Sequence, residues 1–319
     1  MIRIQKRTMK KAAAGLFAAM AALTLAACGG GSDATTAAAL GQGASQEAGS
    51  SQAEGGSAAA NASGTDVVGG DGVLSVAMEC AYAPYNWTQS DDSNGAVQIK
   101  DSPDYAYGYD VMMAKKIADA LGVKLEIVKS DWDSLVPAVQ SGKVDCVIAG
   151  QSITKERLQS VDFSEPYYYA TVVALTKNDS KYADAKGVQD LAGGTATSQL
   201  NTIWYDNCLP QIPNANILAA QDSAPAMLVA LESGKVDYIV TDMPTAKAAT
   251  VAYPDLKILD FGGSSDDFQV SDEDINIGIS MKKGNTALKE AIDGVLSTMT
   301  KDDFNKMMDE AISVQPLSK

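Results

Sequence analysis

The chain has 319 residues, 40 of them acidic and 25 basic, and no histidine, for a net charge of −15. That balance argues against nucleic acid and anionic lipid surfaces as partners, and the missing histidine removes the usual zinc sites and histidine general bases. The first element is a targeting segment, residues 1–28. Arg3, Lys6, Arg7, Lys10 and Lys11 make a cationic start, and the Ala/Leu-rich run Ala12 to Ala27 after it is too short to span a bilayer. It ends in Leu25-Ala26-Ala27-Cys28-Gly29.

Small residues closed by a cysteine in this way resemble the bacterial lipoprotein box, which implies that Cys28 is lipid-modified and becomes the mature N-terminus. Residues 29–71 are mostly Gly, Ser, Ala, Thr and Gln with five acidic residues and no basic or aromatic ones. Such a stretch buries too little apolar surface to fold and reads as a tether of roughly 35 Å root-mean-square reach. No further membrane-spanning segment is expected, so the head, residues 72–319, stands outside the membrane.

Strands and helices alternate through the head. Strands are expected at Val73–Met78 and Lys124–Val128, with a helix at Asp110–Leu121 that Gly122 stops. Val172–Thr176 reads as a strand leading out of a first lobe, Ala196–Gln199 as a strand, and Thr202 as the start of a helix. Ile275–Met281 reads as a returning strand and Ala287–Met308 as terminal helices. Thr88–Asp104, with Asp91, Asp92, Asp101 and Asp104, fits no calcium loop and reads as solvated surface. This order implies α/β sheets, which hold ligands at the carboxyl ends of their strands.

One unit occurs twice. Leu135–Asp145, ending Gln140-Ser141-Gly142-Lys143-Val144-Asp145, returns 92 residues later as Met227–Asp237, ending Glu232-Ser233-Gly234-Lys235-Val236-Asp237. Each copy is an apolar helix closed by glycine and followed by a short strand, which suggests two similar lobes. In this register Gly150 falls opposite Asp242. The loop after the first strand carries Gln151, Ser152 and Arg157. Beyond Cys28 the chain has nineteen lysines and one arginine, Arg157. A planar fork that grips a carboxylate through two parallel hydrogen bonds can only come from arginine; the bland alternative is a surface salt bridge to Glu156 or Asp162. One loop offering Arg157 and the other Asp242 would suit an amino-acid zwitterion.

Around these lie Glu79, just past the first strand and followed by Tyr82, Tyr85 and Trp87, and Asp131-Trp132-Asp133, where either aspartate can cap the repeated helix. Trp132 and Tyr82 can form opposite walls of a slot, and Trp87, Trp132 and Trp204 all adjoin these motifs. Cys146 sits on a core strand. Cys80 and Cys208 could pair in an oxidising compartment, with free thiols the expectation.

Tyr82-Ala83-Pro84-Tyr85, Gly108-Tyr109-Asp110-Val111, the Ser141–Arg157 run, Val161-Asp162-Phe163-Ser164-Glu165-Pro166-Tyr167-Tyr168 and Asp190-Leu191-Ala192-Gly193 together resemble bacterial extracellular solute-binding proteins of the amino-acid family, the receptors of ABC importers. The resemblance implies a two-lobed α/β fold of the type 2 periplasmic binding protein kind, with lobe 1 at 72–170 and 277–319, lobe 2 at 171–276, and hinge crossings at Tyr168–Thr171 and Asn276–Gly278. It implies that Arg157 takes the ligand α-carboxylate with Ser152 and Thr202. Asp242 and Gly150 would take the α-ammonium, Tyr82 and Trp132 sandwich the side chain, and Glu79 reach its tip.

Two positions depart from the pattern. Asn201 stands where glycine is usual, and Gln151 replaces a commonly apolar residue. The expected ligand is a free amino acid with a basic or amide side chain, aspartate and glutamate being repelled by Glu79. The expected partners are a permease with its ATPase, the protein a lipid-anchored extracytoplasmic monomer without cofactor or metal. The alternatives are a ligand-sensing subunit, or an enzyme resembling cyclohexadienyl dehydratase with Glu79 as general acid.

Overall fold

The structure is a computed structural model that describes residues 64–316. The targeting segment with Cys28, and the tether as far as residue 63, lie outside the described residues.

Two five-stranded sheets form the scaffold. The first runs in the order Lys124–Lys129, Val73–Met78, Cys146–Val147, Ser280–Lys282, Val161–Phe163. Its first three strands are mutually parallel, and Ser280–Lys282 runs antiparallel to both of its neighbours. Leu74, Val76, Ala77 and Met78 are all fully buried, as a strand covered on both faces requires. Helices Tyr109–Leu121 and Trp132–Gln140 pack against this sheet. The second sheet runs Asn216–Ile217, Thr195–Thr197, Tyr238–Asp242, Val172–Lys177, Leu256–Leu259.

The repeated units occupy matching places. Helices Trp132–Gln140 and Ala224–Glu232 each end at a serine followed by a left-handed glycine, Gly142 (φ 74°) and Gly234 (φ 71°). The aspartate that opens each following strand latches the parallel neighbour. Asp145 Oδ2 accepts from the Ser75 N–H at 2.8 Å, and Asp237 Oδ2 from the Thr195 N–H at 2.7 Å. The backbone of each aspartate returns the bond, to Ser75 O and Thr195 O.

The chain passes between the sheets at Tyr168–Tyr169 and Asn276–Ile277, which pair antiparallel. The loop after the Cys146–Val147 strand joins this ladder on its other side: Ser152 bridges Ile277, Ile153 N–H donates to Asn276 O, and Gly278 N–H donates to Gln151 O. Gly278 is where loop and crossing strand meet, since a Cβ there would lie 2.6 Å from Ile153 and 2.9 Å from Phe163. On the other crossing, Val172 registers with Asp242 and Met243 N–H donates to Thr171 O.

The structure adds detail at four stretches. The head begins before residue 72: Gly64–Val67 is helical and Val68 is buried against the core, because the apolar pair Val67-Val68 suffices to pin an otherwise polar segment. Within Thr88–Asp104, Val97–Gln98 pairs with Tyr105–Tyr107 and the buried Ile99 anchors the turn, so the stretch completes a four-stranded sheet with Ala81–Tyr82 and Asn86–Gln89. The returning strand 275–281 is broken: Asp272–Ile275 is a helical turn, Asn276–Ile277 belongs to the crossing, and the strand resumes at Ser280. The last helix, Lys301–Val314, touches both Tyr109–Leu121 and Met243–Ala252, and the buried Gln315 beyond it donates to Ala248 O at 3.0 Å.

Candidate functional site

Several hydrogen bonds join residues of the first lobe to residues of the second. The Tyr82 hydroxyl donates to Asp242 Oδ2 at 2.8 Å, Trp132 Nε1 to Leu200 O at 3.0 Å, and Arg157 Nη2 to Asn201 O at 2.8 Å; Asn201 Nδ2 donates to Asp133 Oδ1 at 2.8 Å. The lobes are therefore closed on each other. Between them lies an inner slot lined by Tyr82, Trp132, Gly150, Ser152, Arg157, Gln199, Thr202 and Trp204, with a volume of only about 10 Å³. That is room for about one water molecule, so a solute must enter with the lobes apart. Outside it an open cleft of about 660 Å³ shares Trp132, Arg157 and Thr202 and adds Asp133, Glu156, Asp206 and Asp274.

Arg157 sits at the boundary of the two. The chain turns there because Arg157–Gln159 is a short 3-10 helix whose first N–H is held by the Thr154 hydroxyl. Its Nη1 donates to Ser152 O at 2.9 Å, and its guanidinium lies 5.3 Å from the centre of the Trp132 ring. Burial lowers its pKa to about 10, with Glu156 and Asp206 opposing the shift from a distance. It makes no ion pair among the described residues. Asp162, one candidate partner, pairs with Lys283 at 3.1 Å instead. A desolvated fork without a carboxylate is thus held at the rim of the slot.

Asp242 is the opposite case. It ends the strand Tyr238–Asp242 and caps the helix Met243–Ala252, accepting from the Thr245 N–H at 2.9 Å, with Pro244 in the first turn. The Asp-Met-Pro-Thr sequence is an N-cap signature that sequence reading passed over. Its other bonds come from the Tyr82 and Thr245 hydroxyls, at 2.8 and 3.0 Å, and from the Tyr85 hydroxyl at 3.4 Å. No cation pairs with it among the described residues, and burial raises its pKa against those bonds. It stands one tyrosine hydroxyl behind the slot wall.

Gly150 has φ 62°, and a Cβ there would lie 2.9 Å from the Tyr82 ring, so only glycine lets the ring stand over this turn. Its N–H is already held by the Tyr167 hydroxyl at 3.0 Å, which in turn donates to the buried Asp110 at 2.6 Å. Burial lifts Asp110 to about 6 although Tyr167 and Asn86 both donate to it. Thr202 and Ser152 line the slot, the Thr202 hydroxyl donating to Gln199 O at 2.7 Å. Asn201 keeps the conformation a glycine would supply, with φ 56°; asparagine tolerates it better than most residues.

Some expected residues are placed elsewhere. The acceptor of Gln151 is taken by the Ser280 hydroxyl at 2.9 Å, so the side chain braces the first sheet and reaches only the outer cleft. Trp87 lies against Tyr107 in the four-stranded sheet, away from the slot, while Trp204 reaches it. Asp131 occupies the N-cap position without a side-chain cap bond. Cys80, Cys146 and Cys208 are free and buried, and burial lifts Cys80 and Cys208 to about 12.

Glu79 is buried, 5 % exposed, at the end of the first strand, and does not line the slot itself. Burial raises its pKa from 4.5 to about 7; Gln199 favours the charged form, while Asp110, Asp131 and Asp133 oppose it. Gln199 was missed in the sequence, though it comes after the strand Thr195–Thr197, on the carboxyl side where ligands sit.

Residues 74–312 match the model for bacterial extracellular solute-binding proteins, family 3. The chain belongs to that family. Among relatives of this solute-binding family, it is 32 % identical over 183 residues to a probable histidine-binding protein of Campylobacter jejuni, covering 57 % of this chain and 65 % of that one. It is 27 % identical over 239 residues to the L-cystine-binding protein TcyJ of Escherichia coli, covering 75 % and 82 %. An arginine-bound amino-acid ABC transporter substrate-binding protein from Streptococcus pneumoniae superposes with TM-score 0.65 at 28 % identity, over 78 % of this chain and 98 % of that one. An ancestral amino-acid-binding protein, described as a precursor of cyclohexadienyl dehydratase, superposes at 0.62 and 29 %, over 79 % and 100 %. The two-lobed fold with its cleft and two-strand hinge is that of these amino-acid receptors.

Proposed function

We propose that this solute-binding protein is the extracytoplasmic receptor of an amino-acid ABC importer, held to the membrane by a lipid on Cys28, and that it takes a free amino acid with a basic or amide side chain by closing its lobes. The observation that carries this is the Arg157 guanidinium, desolvated at the slot and without a carboxylate among the described residues. Arg157 and the Ser152 and Thr202 hydroxyls receive the α-carboxylate. Asp242 receives the α-ammonium in place of the Tyr82 hydroxyl, and Tyr82 and Trp132 flank the side chain. Lobe 1 comprises the first sheet and its helices, lobe 2 residues 171–276, and the Tyr168–Tyr169 and Asn276–Ile277 ladder is the hinge. Ligand shifts the balance only as far as it binds the closed form better.

A thermal-shift screen of the twenty amino acids with ornithine and cystine tests the reading. Ligand at a hundred times its dissociation constant stabilises by about 2.7 kcal/mol. Stabilisation by glutamate or leucine alone removes the side-chain preference and leaves the receptor; stabilisation by none removes both. Cys28→Ser should release the protein from washed membranes, and a variant still retained would refute the lipid anchor. A second reading has one observation in its favour: Glu79, with a pKa near neutrality, suits a general acid. Asp110, the nearby carboxylate, is sealed by Asn86 and Tyr167 and offers no base. A new product from prephenate or arogenate in mass spectrometry would reverse the order of the two.

A further inference from the structure

Two short segments, one from each lobe, meet at the boundary between the inner slot and the outer cleft. Trp132-Asp133 opens the first repeated helix, and Leu200-Asn201 leads into Thr202. Trp132 Nε1 donates to Leu200 O at 3.0 Å, and Asn201 Nδ2 donates to Asp133 Oδ1 at 2.8 Å. Each segment is fixed in its own lobe. The Leu200 N–H donates to Gln221 O and the Thr202 hydroxyl to Gln199 O, while Asp133 stands in the first turn of its helix. Asn201 lines the outer cleft and not the slot, so its side chain bonds across the lobes from outside the space a solute would fill. Its carbonyl accepts from Arg157 Nη2 at 2.8 Å, while Arg157 Nη1 donates to Ser152 O. The guanidinium thus has one acceptor from each lobe.

We propose that Asn201 is a positioning residue for capture: its amide latches the second lobe to Asp133, which brings its own carbonyl to Arg157, so the fork is oriented from both sides only when the cleft is shut. This rests on the amino-acid reading above for the cargo that the fork grips; the latch itself asks nothing of the solute. The backbone does not require asparagine. With φ 56°, the position suits glycine at no steric cost, and glycine would keep the carbonyl and lose the amide. Asparagine adds one hydrogen bond to an ionised acceptor, stronger than a neutral pair. Such a bond stabilises the closed form by the same amount whatever the slot holds, so it slows release of every cargo alike. A residue that read the ligand's side chain would separate one cargo from another.

Release of arginine and of glutamine, followed by stopped-flow tryptophan fluorescence, tests this. Asn201→Gly should speed release of both by one common factor, about three- to tenfold. Asp133→Ala should do the same, and the double variant should be no faster than either single one, because both changes remove one bond. Asp133→Asn keeps an acceptor and should release more slowly than Asp133→Ala; equal rates would assign the effect to charge and overturn the latch. Acceleration for one ligand alone would make Asn201 a side-chain contact and overturn it too, as would unchanged release in Asn201→Gly or additive effects in the double variant. If wild type binds neither amino acid, the cargo reading has failed at its preferred ligands and the empty protein decides the latch by itself. Lys143 and Lys235 are exposed counterparts in the two repeats, and Cys80, Cys146 and Cys208 are buried. With spin labels on Lys143→Cys and Lys235→Cys in a Cys28→Ser background, the distances between lobes should shift toward the open form in Asn201→Gly. Identical distances with and without the Asn201 amide would overturn the proposal.

Discussion

The two copies of the repeated unit do the same structural work and end in opposite chemistry. In both, a nine-residue helix stops at a left-handed glycine, and an aspartate latches the neighbouring parallel strand through its carboxylate and its backbone N–H, Asp145 taking the Ser75 hydroxyl as well. Beyond the strand they part. The first unit opens into a loop that is paired with one crossing strand and ends in Arg157. The second stops at Asp242, in register with the other crossing strand, and folds at once into a helix. Each hinge strand thus carries one charged loop on its edge, so a rotation at the ladder moves one against the other. A duplicated scaffold supplies positions; the unlike segments after the two strands supply a cation on one side and an anion on the other.

The largest effect should come from the first copy. Arg157→Ala removes the only fork in the slot and should cost on the order of 2–5 kcal/mol of binding, or roughly 30- to several-thousand-fold in affinity by calorimetry. Arg157→Lys should recover only part, because an ammonium cannot bond both carboxylate oxygens in parallel. Full affinity in the lysine variant would show that no bidentate contact exists.

The second copy has two jobs that substitution can separate. Asn caps a helix about as well as Asp, so Asp242→Asn should keep the melting temperature nearly unchanged while weakening ligand by roughly tenfold or more. Asp242→Ala should lose the cap too, about 0.5–2 kcal/mol of stability. If the two variants bind alike and melt alike, the carboxylate serves structure only.

Glu79 gives a pH signature. Burial lifts this carboxyl from 4.5 to about 7 in the closed form, and where closure over a neutral side chain supplies that burial, the closed form binds more protons than the open one. A raised acid favours closure fully below its exposed pKa, and the benefit is lost as pH climbs through the raised value. Glutamine affinity should therefore fall by about tenfold between pH 6 and pH 8. Arginine, which brings its own charge to Glu79, should bind nearly evenly over that range. A flat profile for glutamine would place Glu79 outside the closed slot.

The smallest effect should be symmetric. Asp145→Ala and Asp237→Ala remove matching latches, Asp145 also giving up the Ser75 hydroxyl, and each should cost about 1 kcal/mol of stability while sparing affinity. A large difference between them in denaturant unfolding would mean that the two units are alike in outline only.

The sheets, the repeat and the loop ending in Arg157 were readable because each is written locally, as apolar runs, a glycine stop and a lone arginine among lysines. Other features depend on contacts distant in sequence. The Gln151 oxygen accepts from the Ser280 hydroxyl, 129 residues away. Gln199 carries no local signal apart from following a strand; it stands out only once the slot it lines is seen. The cap at Asp242 is written locally in Met243-Pro244-Thr245, where the Thr245 N–H bonds back to the carboxylate.

The hydrogen bond from Tyr82 to Asp242 makes the protein its own competitor. On the proposed reading, an incoming ammonium must displace a phenol tethered to the same molecule, always present and never diluted, before it can hold the carboxylate. An empty receptor can also shut, and in doing so offers a transporter the outline of a loaded one. The strength of this one contact therefore sets both a threshold for cargo and the idling rate of the machine it serves. A solute whose ammonium holds Asp242 no better than the phenol does leaves the receptor as it was.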